Sequence, residues 1–167
     1  MSKSLILLCL ALAMSPCTGL AQVAVHLEPA DLHGSRPVSE QTSAAVIRDY
    51  LQSWQSLRSA MEQNRADLLE PSFVGTARDK FAETVQQQAV LGIRTKYQDS
   101  SHDIQIIFYS PEGLSMELTD KVDYDVEVID HDHIKTKQRI SARYVVVMTP
   151  AEVRWRVRVL QGAPLRF

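Results

Sequence analysis

Two hydrophobic periods divide the chain. Up to about residue 95, apolar residues recur at steps of three and four, the spacing of a helix lying on a core. After residue 101 they alternate with polar ones, the spacing of a strand with one buried face. Ser39 is placed to cap a first helix in which Ile47, Tyr50, Leu51, Trp54, Leu57 and Met61 form one stripe, and Asn64 is placed to end it. A short helical piece, Ala66 to Glu70, stops at Pro71, which cannot continue a helix. Gly75 then permits a turn, and Thr76 can cap a helix carrying Ala77, Phe81, Val85 and Ala89 as far as about Leu91, with Gly92 closing it.

The alternating half reads as four strands. Ile104, Ile106 and Phe108 lead to S-P-E-G, where Pro111 and Gly113 hold favoured type I turn positions. Leu114, Met116, Leu118, Val122, Tyr124, Val126 and Val128 share one face of a long second strand. Ile140, Ala142, Tyr144, Val146 and Met148 do so on a third, and Val153, Trp155, Val157 and Val159 on a fourth. The fold class is therefore α+β: N-terminal helices packed on a curved four-stranded antiparallel sheet with one apolar face.

Between the second and third strands lies V-I-D-H-D-H-I-K-T-K, residues 128–137. Inward residues are even-numbered on both sides of it, so its loop is expected to hold an odd number of residues, three or five around His133, with Asp132 or His133 at positive φ. His131-Asp132-His133 then forms the exposed tip of the longest hairpin. Two histidines at i and i+2 can reach one ion, but zinc takes at least three protein ligands, and Gln138 stands where a downstream acid would have helped. No metal site is assigned, and no cofactor is implied.

The chain begins differently. Lys3, the apolar stretch Leu5 to Met14 and the small residues up to Ala21 read as an export signal, residues 1–21, cut after Ala21. A lipoprotein reading through Cys17 is opposed by Pro16, where lipid-modified proteins carry a small residue. Cys9 and Cys17 both leave with the signal, which excludes disulfides, thiolate metal sites and a cysteine nucleophile from the mature chain. That chain is expected to be secreted or periplasmic, without a membrane attachment. Its 17 basic and 20 acidic residues, net −3, are interleaved rather than gathered into one stripe, which speaks against a nucleic-acid partner. Residues 22–38, with Pro29, Gly34 and Pro37 and no steady period, read as a flexible tether; residues 39–161 as a single domain; residues 162–167 as a C-terminal tail.

Long helix, short helix, third helix and then a meander ending in R-Y-V-V-V-M-T-P-A-E-V-R-W-R-V-R-V is an order that resembles the nuclear-transport-factor-2-like superfamily, the cone fold of SnoaL-like cyclases and ketosteroid isomerases. Trp155-Arg156-Val157 on the last strand is similar to the tryptophan-basic-aliphatic ending common there, and the resemblance covers roughly residues 40–161. It implies a cystatin-like cone, and a superfamily of isomerases, dehydratases, cyclases and purely binding members among which fold alone does not choose. It also implies homodimers formed sheet to sheet. Asp123, Asp125 and Glu127 face outward on the second strand, and Arg139, Arg143, Arg154, Arg156 and Arg158 on the next two, so this charged face is either a solvated surface or a docking face for a second copy.

Catalytic members of that superfamily place a carboxylate, often with histidine or tyrosine, inside the cone. Here Asp120 interrupts the apolar face of the second strand, and pairing Phe108 with Leu114 brings His102 opposite it, near enough for the acid to orient an imidazole as general base. Tyr50, Trp54 and Tyr124 complete an aromatic pocket for a small apolar ligand. The competing reading makes T-D-K, residues 119–121, a bulge that turns Asp120 to solvent, and makes the aromatic residues plain core. With no nucleophile, phosphate loop or metal spacing, the expected function is a non-catalytic ligand-binding or protein-interaction module. The alternative is a metal-independent acid/base enzyme of the isomerase, dehydratase or cyclase kind acting on a hydrophobic carbonyl compound.

Overall fold

A computed structural model describes residues 22–32 and 36–163. The predicted signal peptide and the last four residues of the predicted tail lie outside the described residues. Strand β1 (Ala24–Leu27) precedes helix α1 (Glu40–Gln63), a 3-10 turn (Ala66–Leu69), helix α2 (Gly75–Leu91) and strands β2 (Ile93–Tyr109), β3 (Met116–Asp130), β4 (His133–Pro150) and β5 (Trp155–Ala163). The strands form one sheet in the order β1-β2-β3-β4-β5.

The helix ends follow local chemistry. The Ser39 hydroxyl accepts from Thr42 N at 3.2 Å, and Asn64 closes α1 in the left-handed region. Gly92 does the same for α2. The start of α2 departs from expectation: Val74 occupies the cap position, and the Thr76 hydroxyl donates instead to the Arg158 carbonyl at 3.0 Å, tying the helix to β5. Along α1, Val46, Ile47, Tyr50, Trp54, Leu57 and Met61 are buried against Ile104, Met116, Leu118, Val122, Val146, Met148 and Val157 of the sheet. The cone has one core, between α1 and the inner face of the sheet.

The sheet is mixed and five-stranded, not the expected four-stranded antiparallel meander. The added strand comes from the segment expected to be a tether. β1 pairs in parallel with Ser101–Ile104, and Glu28 N, Asp31 N and Arg36 N continue along the same edge to the carbonyls of Ile104, Ile106 and Tyr109. All four β1 residues are exposed, so no hydrophobic alternation announces the strand; backbone pairing alone makes it. At the opposite edge, Val157 N donates to Ser72 O and Val74 N to Val157 O, both at 2.9 Å, so the stretch around Phe73 covers β5.

Bulges explain the other departures. The β3–β4 loop holds two residues, not three or five: His131 (φ 46°) and Asp132 (φ 64°) both lie at positive φ, as a type I′ turn requires. The phase is restored by an unpaired Lys135, since Val128 faces Thr136 whereas Ile129 faces Ile134. On β5 a shift between Val147 and Met148 leaves Arg158 extra, so Val157 and Leu160 are buried where Val157 and Val159 were expected. Val153 lies in the preceding turn and is exposed, as is Leu114. Arg154 stands in that turn too, beside Gln52 and Pro71, and so leaves the charged face.

Gly92 isolates the cost of a left-handed position, because an added Cβ there meets only His131 Cε1 at 3.9 Å. Gly92→Ala is expected to lower stability by about 1 kcal/mol in urea denaturation. Gly162→Ala, where the added Cβ meets nothing within 4 Å, is expected to leave the midpoint unchanged or raise it slightly.

Candidate functional site

The polar heart of the cone begins with β2. In a regular strand, residues 99 and 102 point to opposite faces. A register shift between Asp99 and Ser101 changes the phase, so Asp99 and His102 both turn inward. On β3 the pairing with β4 runs without a shift from Met116 to Val128, so T-D-K is no bulge and Asp120 stays on the inner face, fully buried.

His102 and Asp120 do meet, by a register other than the one expected. Ile104, not His102, stands opposite Asp120, and His102 stands opposite Val122. The expected pairing of Phe108 with Leu114 fails because the turn is longer and a second shift follows Ile106, so pairing starts at Tyr109 and Met116. The resulting offset of two residues keeps both side chains on one face as diagonal neighbours. His102 Nδ1 lies 2.7 Å from Asp120 Oδ2, and the Tyr50 hydroxyl donates to the same oxygen at 2.7 Å. His102 Nε2 lies 3.3 Å from Asp99 Oδ2, and the Arg58 guanidinium donates to the other oxygen of Asp99.

An imidazole between two carboxylates gains by holding both protons. Burial alone would lower its pKa, but hydrogen bonds to Asp120 and Asp99, together with their charges, raise it from 6.5 to about 9. For Asp99 burial pushes upward, but the hydrogen bond to His102 and the charge of Arg58 win and hold the acid below its usual range. Burial and the nearby Asp120 charge drive the Tyr50 phenol well above 10, so it stays a donor. Two buried acids and a buried imidazolium, with a half-buried guanidinium at one end, thus form a connected set. The two carboxylates thus favour the imidazolium, the form that donates to both of them.

Trp54 covers the imidazole end of this set. Its ring meets His102 edge-on at 5.3 Å, and Tyr144 and Tyr124 at 5.6 and 6.2 Å. On its other side is a cleft of about 130 Å³ opening between α2 and β5, whose walls include Trp54, Tyr97, Tyr124, Tyr144, Phe81 and Lys80. Of the expected pocket residues, Trp54 and Tyr124 line it; Tyr50 does not, being fully buried behind Trp54. Neither His102 nor Asp120 reaches it. Asp120 Oδ1 is buried without a hydrogen-bond partner.

Sequence reasoning missed Asp99, Arg58, Tyr97 and Lys80 as parts of this region. The run Tyr97, Asp99, His102, Ile104, Ile106, Tyr109 changes from odd to even and back, which is the imprint of the two shifts in β2. At the hairpin tip, Asp132 pairs with Arg94 at 2.5 Å, His131 is bonded to Asp130, and His133 Nδ1 contacts His131 O at 2.8 Å. Among the described residues no three His, Cys, Asp or Glu side chains are grouped to hold one ion, and no helix is long and apolar enough to cross a membrane.

Because the His102 pKa lies above its unfolded value, its contribution to stability is complete below pH 6.5 and is lost as pH rises through about 9. Asp99 acts oppositely, contributing above 3.8 and losing that contribution as pH falls. Stability measured by urea denaturation is expected to fall between pH 7 and pH 10, and His102→Gln to flatten that fall. Asp120→Asn leaves the imidazolium poorly compensated and is expected to cost about 3 kcal/mol.

No family model matches the chain, and no curated protein matches it in sequence. Solved structures do match. The intermembrane-space region of the chloroplast protein ARC6 superposes with a TM-score of 0.64 at 10% identity, over 76% of this chain and 98% of that one. A candidate scytalone dehydratase from Novosphingobium aromaticivorans DSM 12444 gives 0.52 at 14% identity, over 75% and 89%. A periplasmic fragment of TraM gives 0.50 at 12% identity, over 70% and 96%. At such identities the likeness is one of fold: the chain has the nuclear-transport-factor-2-like cone that its element order resembles.

Proposed function

We propose that the protein is an exported, non-catalytic binding module that holds a small, largely apolar ligand in the Trp54–Tyr124 cleft. One observation carries this reading: the histidine–carboxylate pair and the open cleft are separate. His102 and Asp120 are fully buried, with both imidazole nitrogens held by carboxylates, whereas the cleft is walled by aromatic rings and lacks an acid. A protonated histidine behind an indole has the character of a structural core, and an aromatic-lined cleft that of a recognition surface. Export is supported by the apolar stretch Leu5 to Met14 before Ala21, and by likeness to a periplasmic fragment and an intermembrane-space region.

The outer face of the sheet is the surface such a module offers to a second copy. Its charges are partly matched within one chain: Asp125 lies opposite Arg139, and Lys137 reaches Glu127 at 2.8 Å. This tempers the face without making it apolar, so pairing there would be polar and weak.

One observation favours the second reading, a metal-independent acid/base enzyme acting on a hydrophobic carbonyl compound. Asp120 Oδ1 is free of partners while Tyr50 and His102 fix Oδ2, the arrangement of an oriented base. Substrate could reach it only if Trp54 swung aside.

Native mass spectrometry of the protein purified from its own periplasm or medium distinguishes the two. A retained small molecule is expected, present in folded His102→Gln and Asp120→Asn variants and absent from Trp54→Ala. Turnover of a cyclic enone or hydroxy-ketone by the purified protein, abolished by Asp120→Asn, would establish the enzyme instead.

A further inference from the structure

The ligand can be narrowed by the size and charge of the cleft, on the reading that the cleft is a binding site. Its volume of about 130 Å³ is below the usual span of small-molecule sites and close to the roughly 150 Å³ that accommodates benzene in an apolar cavity. One six-membered ring fits. The walls suit such a ring: Trp54 and Tyr144 lie at 70° to one another, Trp54 and Tyr124 at 50°, Tyr97 and Tyr124 at 59°, so the lining rings are inclined to one another rather than stacked flat.

A cage of indole and phenols could equally hold a quaternary ammonium. Charge decides against it. Lys80 is the one charged residue among the described residues lining the cleft, and it is exposed at the α2 side of the opening, next to Phe81. It takes part in no ion pair among the described residues, so its ammonium is available to a guest. The hydroxyls of Tyr124 and Tyr144, 3.0 Å apart, share one proton between two oxygens and leave the second O–H as a donor. Burial holds the Tyr97 and Tyr144 phenols in their neutral, donating forms. A cation at the mouth and neutral donors on the wall select an anion.

We propose that the cleft binds a single-ring aromatic carboxylate, its ring against the wall formed by Trp54, Tyr97, Tyr124 and Tyr144 and its carboxylate on the Lys80 ammonium. The ring supplies contact area, and Lys80 sets the direction of entry: ring first, acid at the opening. A two-ring compound exceeds the volume.

Trp54 and Trp155 are the two tryptophans, so in a Trp155→Phe background the indole fluorescence and the indole N–H resonance report on the cleft. Benzoate and phenylacetate would be titrated against benzyl alcohol and benzyltrimethylammonium, which share the ring but are neutral and cationic. The carboxylates are expected to shift the Trp54 signal saturably, more weakly at high salt. Lys80→Gln is expected to weaken them about tenfold with the unfolding midpoint unchanged, and Lys80→Arg to restore most of the affinity. Equal binding of all three charge types, or an unchanged affinity in Lys80→Gln, would overturn the carboxylate assignment and leave the binding cleft standing. Tighter binding of the ammonium would overturn it in favour of a cation cage. Silence from every ring compound would overturn it as well, and the retained mass of the purified protein would then decide separately whether the cleft binds anything.

Discussion

A charged imidazole at the centre of a hydrophobic cone has to be compensated from several directions at once, and that requirement ties three elements together. Asp120 comes from β3, Asp99 from the same strand as His102, and Tyr50 and Arg58 from α1. Removing Asp120 leaves the buried imidazolium poorly compensated, at a cost of several kcal/mol. Hydrophobic burial along α1 would tolerate some sliding of helix on sheet. The Tyr50 bond to Asp120 and the Arg58 pair with Asp99, two turns apart on the helix, do not. The polar set therefore fixes how α1 lies across the strands, and through Trp54 it fixes the back wall of the cleft.

The second organising device is the bulge. The shifts in β2, β4 and β5 each exchange which residues face inward, and each coincides with a feature of consequence. The shift after Asp99 brings a second acid to His102. The one beside Lys135 lets a two-residue turn close the longest hairpin, and the one at Arg158 places Leu160 beside the cleft. Bulges also sharpen strand twist, which a sheet must have to wrap around a single long helix.

These same bulges mark where the chain could be read and where it could not. Helix ends at Ser39, Asn64 and Gly92 were legible because capping is local chemistry, and Asp120 stood out because one acid on an apolar face is conspicuous under strict alternation. The partner of Asp120 was found despite a register wrong by two, since a slip of two keeps the face. A slip of one does not, which hid Asp99 and misplaced Val159, while Val153 was misplaced because the turn runs on to Arg154. β1 was illegible for a different reason: a strand with every side chain in water leaves no pattern of burial to detect. Arg58 lies on the polar flank of α1, and nothing along the helix signals that its reach ends at an acid on β2.

The manner in which β1 is held has a thermodynamic consequence. Almost every other element is anchored by apolar side chains in the core, but β1 adheres through main-chain hydrogen bonds at the rim, with Val25 and Leu27 left in water. Such a segment opens at small free-energy cost and without disturbing the core, while global unfolding requires the buried charge set to be dismantled. The molecule is therefore graded in stability from rim to centre. When β1 peels away, the β2 edge from Ser101 to Ile104 becomes a vacant ladder of donors and acceptors, and the seventeen-residue strand that organises the cone is then the one placed to receive another chain.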